Sequence, residues 1–213
     1  MAKDMRSELR TRFGITATAL FVVTAVSLIA FASADEEMPR PIVAAVMWVV
    51  MFFTAITGLA RGFVSEEERG TSLYLRMTAH PGAVYWGKLA GNVVFAVVSN
   101  LLVSALFLLF MQRVVVENPV AFLTTTVVGS IGLASVVTIT SAIVAKAGAR
   151  NVLLPVLSFP VLLPVIMPGV GAMISSLAGI AMAEITPDWL LMLSHSGIVI
   201  VLSWLVFESV WCN

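Results

Sequence analysis

The sequence predicts an all-α integral membrane protein with six transmembrane helices in a single domain, residues 1–213. Only 11% of the residues are charged, against ~25% in an average protein. The mean hydropathy is +1.03, and apolar runs of about 20 residues, the length that crosses a bilayer, recur along the chain. A soluble domain this poor in charge could not cover its surface with polar groups.

The first predicted span covers residues 14–34. Ahead of it, Met5, Leu9 and Phe13 recur at four-residue steps among basic side chains. This pattern predicts a helix lying on the cytoplasmic membrane surface, and a plain basic flank is the alternative. Ala32-Ser33-Ala34 resembles a signal-peptidase site, but the apolar run is longer than the ~7–15 residues of a signal peptide, so we expect the span to be retained.

The second and third predicted spans cover residues 41–60 and 90–111. Pro41 suits the first position of a helix, where its missing N–H does no harm. Four polar side chains interrupt the third span, and we expect them to form hydrogen bonds between helices rather than a transport path; they are Asn92, Ser99, Asn100 and Ser104.

The last three spans are predicted at 120–145, 152–170 and 190–210. Small and hydroxyl residues crowd the fourth span, which places it in the middle of the bundle because they let helix backbones approach closely. Pro160, Pro164 and Pro168 predict kinks in the fifth, which we expect to end at Gly169 to Gly171. Residues 172–189 are too polar for a clean span and predict a helix or a short re-entrant hairpin at the outer face.

Basic residues orient the bundle. With the N-terminus inside, ten of the 12 lysines and arginines lie on the cytoplasmic side, and only Arg40 and Arg113 lie outside. This asymmetry predicts an N-in, C-in topology. Glu208 then falls near the inner end of the sixth span, where we expect it to reach water.

The longest polar interval covers residues 65–92 and is cytoplasmic in this topology. Ser65 followed by Glu68 fits a capping box, and Leu73 shares a helix face with Tyr74 and Met77. We expect Pro81-Gly82 to end this helix. The segment is either a short amphipathic helix presented to a soluble partner or an ordinary solvated loop helix.

Several kinds of chemistry are excluded by the sequence. It contains no GxxxxGK[ST] phosphate loop, GxSxG elbow or HExxH motif, so the chain is not predicted to be an enzyme. A net charge of zero gives no electrostatic reason to expect nucleic-acid binding. Cys212 stands alone, and His80 and His195 are too far apart to suggest a metal site. Energy for uphill transport would have to come from another polypeptide.

Two segments carry a resemblance to a known family. KDMRSELRTRF at residues 3–13 leads into the first span, and EEERGTSLYLR at 66–76 is followed by Pro81 and by Gly87-Lys88-Leu89. This arrangement resembles the haem exporter protein B family, the permease subunit of the bacterial cytochrome c maturation system. The family belongs with the type-2 ABC exporter permeases, and the resemblance covers essentially the whole chain.

The resemblance implies a permease domain in the bacterial inner membrane, embedded in lipid and driven by a cytoplasmic ATPase of the haem exporter protein A type. It implies that the loop after the second span carries a coupling helix, whose docking candidates are Glu66, Glu67, Glu68, Arg69, Gly70, Thr71 and Leu73. It further implies other cytochrome c maturation membrane proteins as partners and re-entrant helices at 172–189. Tyr74 to Met77 depart from the Leu-rich run expected there.

The resemblance assigns no cofactor and no haem ligand to residues of this sequence, so it implies haem as a substrate only. We expect His195 to be a polar packing residue, and six helices predict a homodimer of 12. Two alternatives stay open: a generic exporter of lipid or drug with the same fold, and a non-transporting membrane scaffold for cytochrome c assembly factors.

Overall fold

The computed structural model describes residues 12–33, 37–59, 80–111, 113–146 and 153–212. In this part of the chain the secondary structure consists of six α-helices packed into one bundle. They are α1 (Arg12–Ala32), α2 (Arg40–Leu59), α3 (Pro81–Phe110), α4 (Pro119–Lys146), α5 (Leu153–Leu177) and α6 (Met182–Cys212). The predicted cytoplasmic coupling helix lies outside the described residues, and so does the predicted N-terminal interfacial helix except for Arg12 and Phe13, which begin α1.

Helices α2 to α6 are each long and apolar enough to cross a membrane, which confirms five of the predicted spans by length and composition. The apolar part of α1, Thr16–Ala32, is shorter. It packs against α2 and α3 at the edge of the bundle, with Val22 and Val26 buried. The first span and the N-in, C-in topology therefore stay predictions.

Helix α3 begins at Pro81 and not at residue 90, which corrects the expected role of Pro81-Gly82. His80 is the N-cap, and its Nδ1 accepts a hydrogen bond from the Gly82 N–H at 3.2 Å. Proline is favoured at the first helical position because that N–H has no partner within the helix. Pro81-Gly82 therefore opens a helix.

Helix α5 ends later than predicted, and helix α6 begins earlier than predicted. Helix α5 runs through its three internal prolines and past Gly169 and Gly171 to Leu177. It ends where Gly179 adopts a φ of 72°, and the Ile180 N–H donates to the Ser175 carbonyl at 3.0 Å. This is the glycine-terminated helix end that satisfies the last free carbonyls.

Residues 172–189 do not form a separate re-entrant element, contrary to the prediction. They comprise the last turns of α5, a short turn at 178–181 and the first turns of α6. The polar residues that argued against a span, Glu184 and Asp188, lie near the start of α6, where a long helix can extend beyond the hydrocarbon core.

Helix α4 lies at the centre of the bundle, as its small and hydroxyl residues predict. It packs against α2, α3, α5 and α6, and 78% of its most apolar window is buried. Its hydroxyls are satisfied within the protein: Thr125 donates to the Ala121 carbonyl at 2.8 Å and also accepts from the Trp189 Nε1–H at 2.9 Å. Hydroxyls bonded in this way can be buried without an unpaired donor.

The bundle has two distinct ends. At the short-loop end, the α1–α2, α3–α4 and α5–α6 connections meet: Arg40 pairs with Glu117, and the Asn118 N–H donates to the Ser176 carbonyl at 3.0 Å. At the opposite, long-loop end, α2 and α4 finish and α3 and α5 begin. The predicted N-in topology would make the short-loop end periplasmic.

Three helices meet around Trp48 of α2, which is 1% exposed. Its indole lies against Gly129 of α4 and Gly169 of α5. A Cβ added at Gly129 would lie 2.6 Å from a Trp48 ring carbon, and one at Gly169 would lie 2.1 Å away. Neither glycine can gain a methyl group unless the ring moves.

We predict that Gly169→Ala lowers the free energy of unfolding by about 1–3 kcal/mol, the usual range for an overpacked core. Gly197→Ala is the matched control, because a Cβ there meets nothing within 4 Å. The measurement is an SDS unfolding titration of the purified protein in mixed micelles. Equal unfolding midpoints for the two variants would contradict the close packing of Trp48 against Gly169.

Candidate functional site

All seven predicted docking residues lie between 60 and 79, outside the described residues. They are Glu66, Glu67, Glu68, Arg69, Gly70, Thr71 and Leu73. Both ends of this interval are described: it leaves α2 after Leu59 and enters α3 at His80. The interval is therefore attached to the bundle at its long-loop end.

The first turns of α3 are anchored to α6 at this end. Tyr85 is fully buried, and its hydroxyl donates to the Ile200 carbonyl at 3.2 Å. Its ring lies 5.3 Å from that of Phe207, centroid to centroid. The Trp204 indole of α6 lies beside Gly82 at the same level, next to the start of α3.

Two asparagines join α3 to the central helix α4. Asn92 Nδ2 donates to the Thr138 hydroxyl at 2.8 Å, and Asn100 Nδ2 donates to the Ser130 hydroxyl at 3.0 Å. All four side chains are buried. The interhelical role predicted for these asparagines is therefore confirmed.

Ser99 and Ser104 differ from that prediction. Ser99 donates to the Phe95 carbonyl at 2.7 Å, and Ser104 donates to the Asn100 carbonyl at 2.9 Å. Each hydroxyl reaches a carbonyl one turn earlier in its own helix, a bond that requires no neighbouring helix. Sequence could not separate the two cases because all four residues are polar at membrane depth.

His195 of α6 makes a hydrogen bond to α5. It lies well inside α6, because that helix already begins at Met182. Its Nε2 lies 2.9 Å from the Val161 carbonyl oxygen, and since a carbonyl only accepts, the ring N–H donates. The contact confirms a polar packing role. No group of three or more potential metal ligands occurs among the described residues. Glu208 is exposed on the surface of the chain, and its contact with water stays a prediction.

A cavity of about 780 Å³ opens at the short-loop end, between the ends of α1, α2 and α3 and the α3–α4 connection. Charged and apolar side chains share its lining. Among the described residues, the charged ones are Glu37, Arg40, Arg113 and Glu117, and the apolar ones include Met38, Val43, Phe110, Met111, Val115 and Leu177. No site is predicted here from the sequence, because the charged residues come from two segments that are far apart along the chain.

Asn118 holds this end together. Its Oδ1 accepts from the Ala121 N–H at 3.1 Å and caps α4, while its Nδ2 donates to the Ile180 carbonyl at 3.0 Å. Asparagine followed by Pro119 and an apolar run is a helix-start signal that could have been identified from sequence. The bond to the α5–α6 turn could not, since the two residues are 62 positions apart.

We predict that Asn118→Ala lowers the free energy of unfolding by about 0.5–2 kcal/mol, as for other lost N-caps. Asn118→Asp should lower it less, because a carboxylate still accepts from the Ala121 N–H although it cannot donate to Ile180. SDS unfolding midpoints of the two variants make the comparison. An equal loss in both would show that the cap contributes nothing.

We predict a coupling free energy of about 0.6 kcal/mol, and not more than about 1.7 kcal/mol, between Asn92 and Thr138, the range found for hydrogen bonds inside membranes. The effect is small because the Thr138 hydroxyl also donates to the Ala134 carbonyl and stays bonded without Asn92. A double-mutant cycle of Asn92→Ala and Thr138→Val measures it. Strictly additive effects would contradict the assigned bond.

Comparison with known proteins gives one result. The family model described as CcmB protein matches residues 1–208 of this chain. No curated protein and no solved structure matches it.

Proposed function

The chain belongs to the CcmB protein family, and from this premise we propose that it is the membrane subunit of an ABC transporter that exports haem, or releases it, for cytochrome c assembly. Family membership and the five apolar helices make it a multi-pass transmembrane permease of haem transport and cytochrome c biogenesis. The single observation that carries the proposal is the family match over residues 1–208. The bacterial inner membrane is its proposed location.

The energy for this activity comes, in our proposal, from a separate ATPase subunit. The sequence has no phosphate-binding loop of the GxxxxGK[ST] type. An ABC permease without one must obtain the energy of nucleotide hydrolysis from a partner that binds the nucleotide. We propose two copies of this chain with two cytoplasmic ATPase subunits, working beside other cytochrome c maturation membrane proteins.

The proposed docking site for the ATPase is the acidic segment from Glu66 to Leu73. Its flanks attach at the long-loop end, which the distribution of lysine and arginine favours as cytoplasmic. The sequence of this segment has three adjacent acids followed by Arg69, charged side chains of the kind that pair with a soluble partner.

The contacts around α3 support a route for coupling. Tyr85 ties the first turns of α3 to α6, and the two asparagines tie α3 to α4. In this proposal, a movement of the docking segment caused by the ATPase would move α3 together with the central helix α4 and α6. Because packed helices shift as rigid bodies, such a movement can reach the short-loop end.

The contacts of His195 bear on how haem is handled. Its Nε2 already donates to the Val161 carbonyl, so axial coordination through that nitrogen would require this bond to break. We therefore propose that the chain moves haem, or supplies the force for its release, without an axial ligand from His195.

We predict that Glu67→Lys/Glu68→Lys reduces co-purification of the ATPase about tenfold or more, since like charges placed across an interface cost several kcal/mol. Cytochrome c assembly should fall with it, while the helix content of the purified protein stays unchanged. Glu208→Lys is the matched control, because Glu208 is an exposed acid outside the docking segment. Normal ATPase recovery and normal cytochrome c levels in the double variant would refute the docking site.

A second experiment separates a driven permease from a passive scaffold. We expect an ATPase partner that binds but cannot hydrolyse nucleotide to abolish cytochrome c assembly while still co-purifying with this chain. Normal assembly with the inactive ATPase would overturn the proposal that hydrolysis drives the system.

A further inference from the structure

The cavity at the short-loop end combines two kinds of surface. Its charged side chains stand where α2 begins and in the α3–α4 connection, and its apolar walls come from the ends of the helices. Charged groups avoid the hydrocarbon core, so helix ends that carry them lie at the level of the lipid headgroups. The cavity is therefore at the depth where a phospholipid changes from polar to apolar.

Among the described residues that line the cavity, the charged side chains are two of each sign. Two glutamates, Glu37 and Glu117, face the same space as two arginines, Arg40 and Arg113. A phosphate is recognised by arginine, and a primary ammonium by carboxylates. The Arg40–Glu117 pair stays accessible, with side-chain exposures of 52% and 44%, and a guanidinium has more donors than one carboxylate oxygen can use.

The apolar part of the lining suits an acyl chain. Phe110 is 45% exposed and Val115 is 68% exposed, and both border the cavity beside the buried Met111 and Leu177. The volume of about 780 Å³ lies within the ~300–1,000 Å³ common for small-molecule sites. A headgroup can lie among the charges while the first methylenes of its chains lie against these walls.

We propose that this cavity binds the headgroup of a zwitterionic phospholipid with a primary ammonium, with its phosphate on the arginines and its ammonium on the glutamates. Phosphatidylcholine carries the same charges but has no ammonium N–H to donate. Phosphatidylglycerol has no ammonium at all. The site therefore prefers phosphatidylethanolamine, and this preference does not depend on the proposed transport function.

Native mass spectrometry of the delipidated protein tests the proposal, with phosphatidylethanolamine, phosphatidylcholine or phosphatidylglycerol added in turn. We expect one phosphatidylethanolamine per chain, bound about tenfold tighter than either other lipid, since a site built to bond an N–H rejects analogues that lack it. Equal binding of all three lipids, or a preference for phosphatidylglycerol, would overturn the proposal.

Two variants locate the binding. Arg40→Gln/Glu117→Gln removes one charge of each sign, leaves the net charge unchanged and should abolish the preference. Val115→Trp fills the cavity from an exposed position and should reduce phosphatidylethanolamine binding about tenfold without disturbing the core. The second variant keeps the test valid if the first does not fold.

Val120→Trp is the matched control for the filling variant. Val120 is 59% exposed on α4 and does not line the cavity, so this variant should bind phosphatidylethanolamine as the wild type does. Unchanged phosphatidylethanolamine binding by Val115→Trp would show that the lipid binds elsewhere and would overturn the assignment. Lipid binding is the readout throughout, so failure of the ATPase proposal would leave the result intact.

Discussion

The fit of Trp48 against Gly129 and Gly169 is the constraint on which the arrangement of the bundle depends. One buried indole from α2 occupies the space that two side chains would take on α4 and α5. Inside a membrane there is no hydrophobic force between helices, so close backbone approach and dense packing must hold them together. Trp48 supplies that packing, and the two glycines allow it.

The central helix α4 can be both polar and buried because its hydroxyls have partners. Most of them bond to carbonyls of their own helix, and Ser130, Thr138 and Thr140 also bond to side chains of α3 or α5. Thr140 and Ser158 are 2.8 Å apart, oxygen to oxygen. The polar groups of α4 thus determine which residues of α3 and α5 lie at which level of the helix.

The two ends of the bundle differ in ways that suit the proposed roles. At the long-loop end, Tyr85 fixes α3 against α6 close to the segment that we propose as the ATPase docking site. At the short-loop end, Asn118 and the Arg40–Glu117 pair hold the connections around an open cavity. Helices α3 and α4 both run from one end of the bundle to the other. A movement at one end could therefore be transmitted to the other end through this pair.

The sequence by itself determined the membrane class, five of the spans and the central place of α4, because length, hydropathy and small-residue content are local properties. It also determined the interhelical role of Asn92 and Asn100, since a buried amide needs a partner. It did not determine the helix ends: Pro81 begins a helix, and Gly169 lies within one, because a glycine or proline has a different effect in each packing environment. Only the tertiary structure decided that Trp48 faces two glycines and that Arg40 meets Glu117, 77 positions away. Such pairs depend on how whole helices pack, and no local pattern specifies which residues will meet.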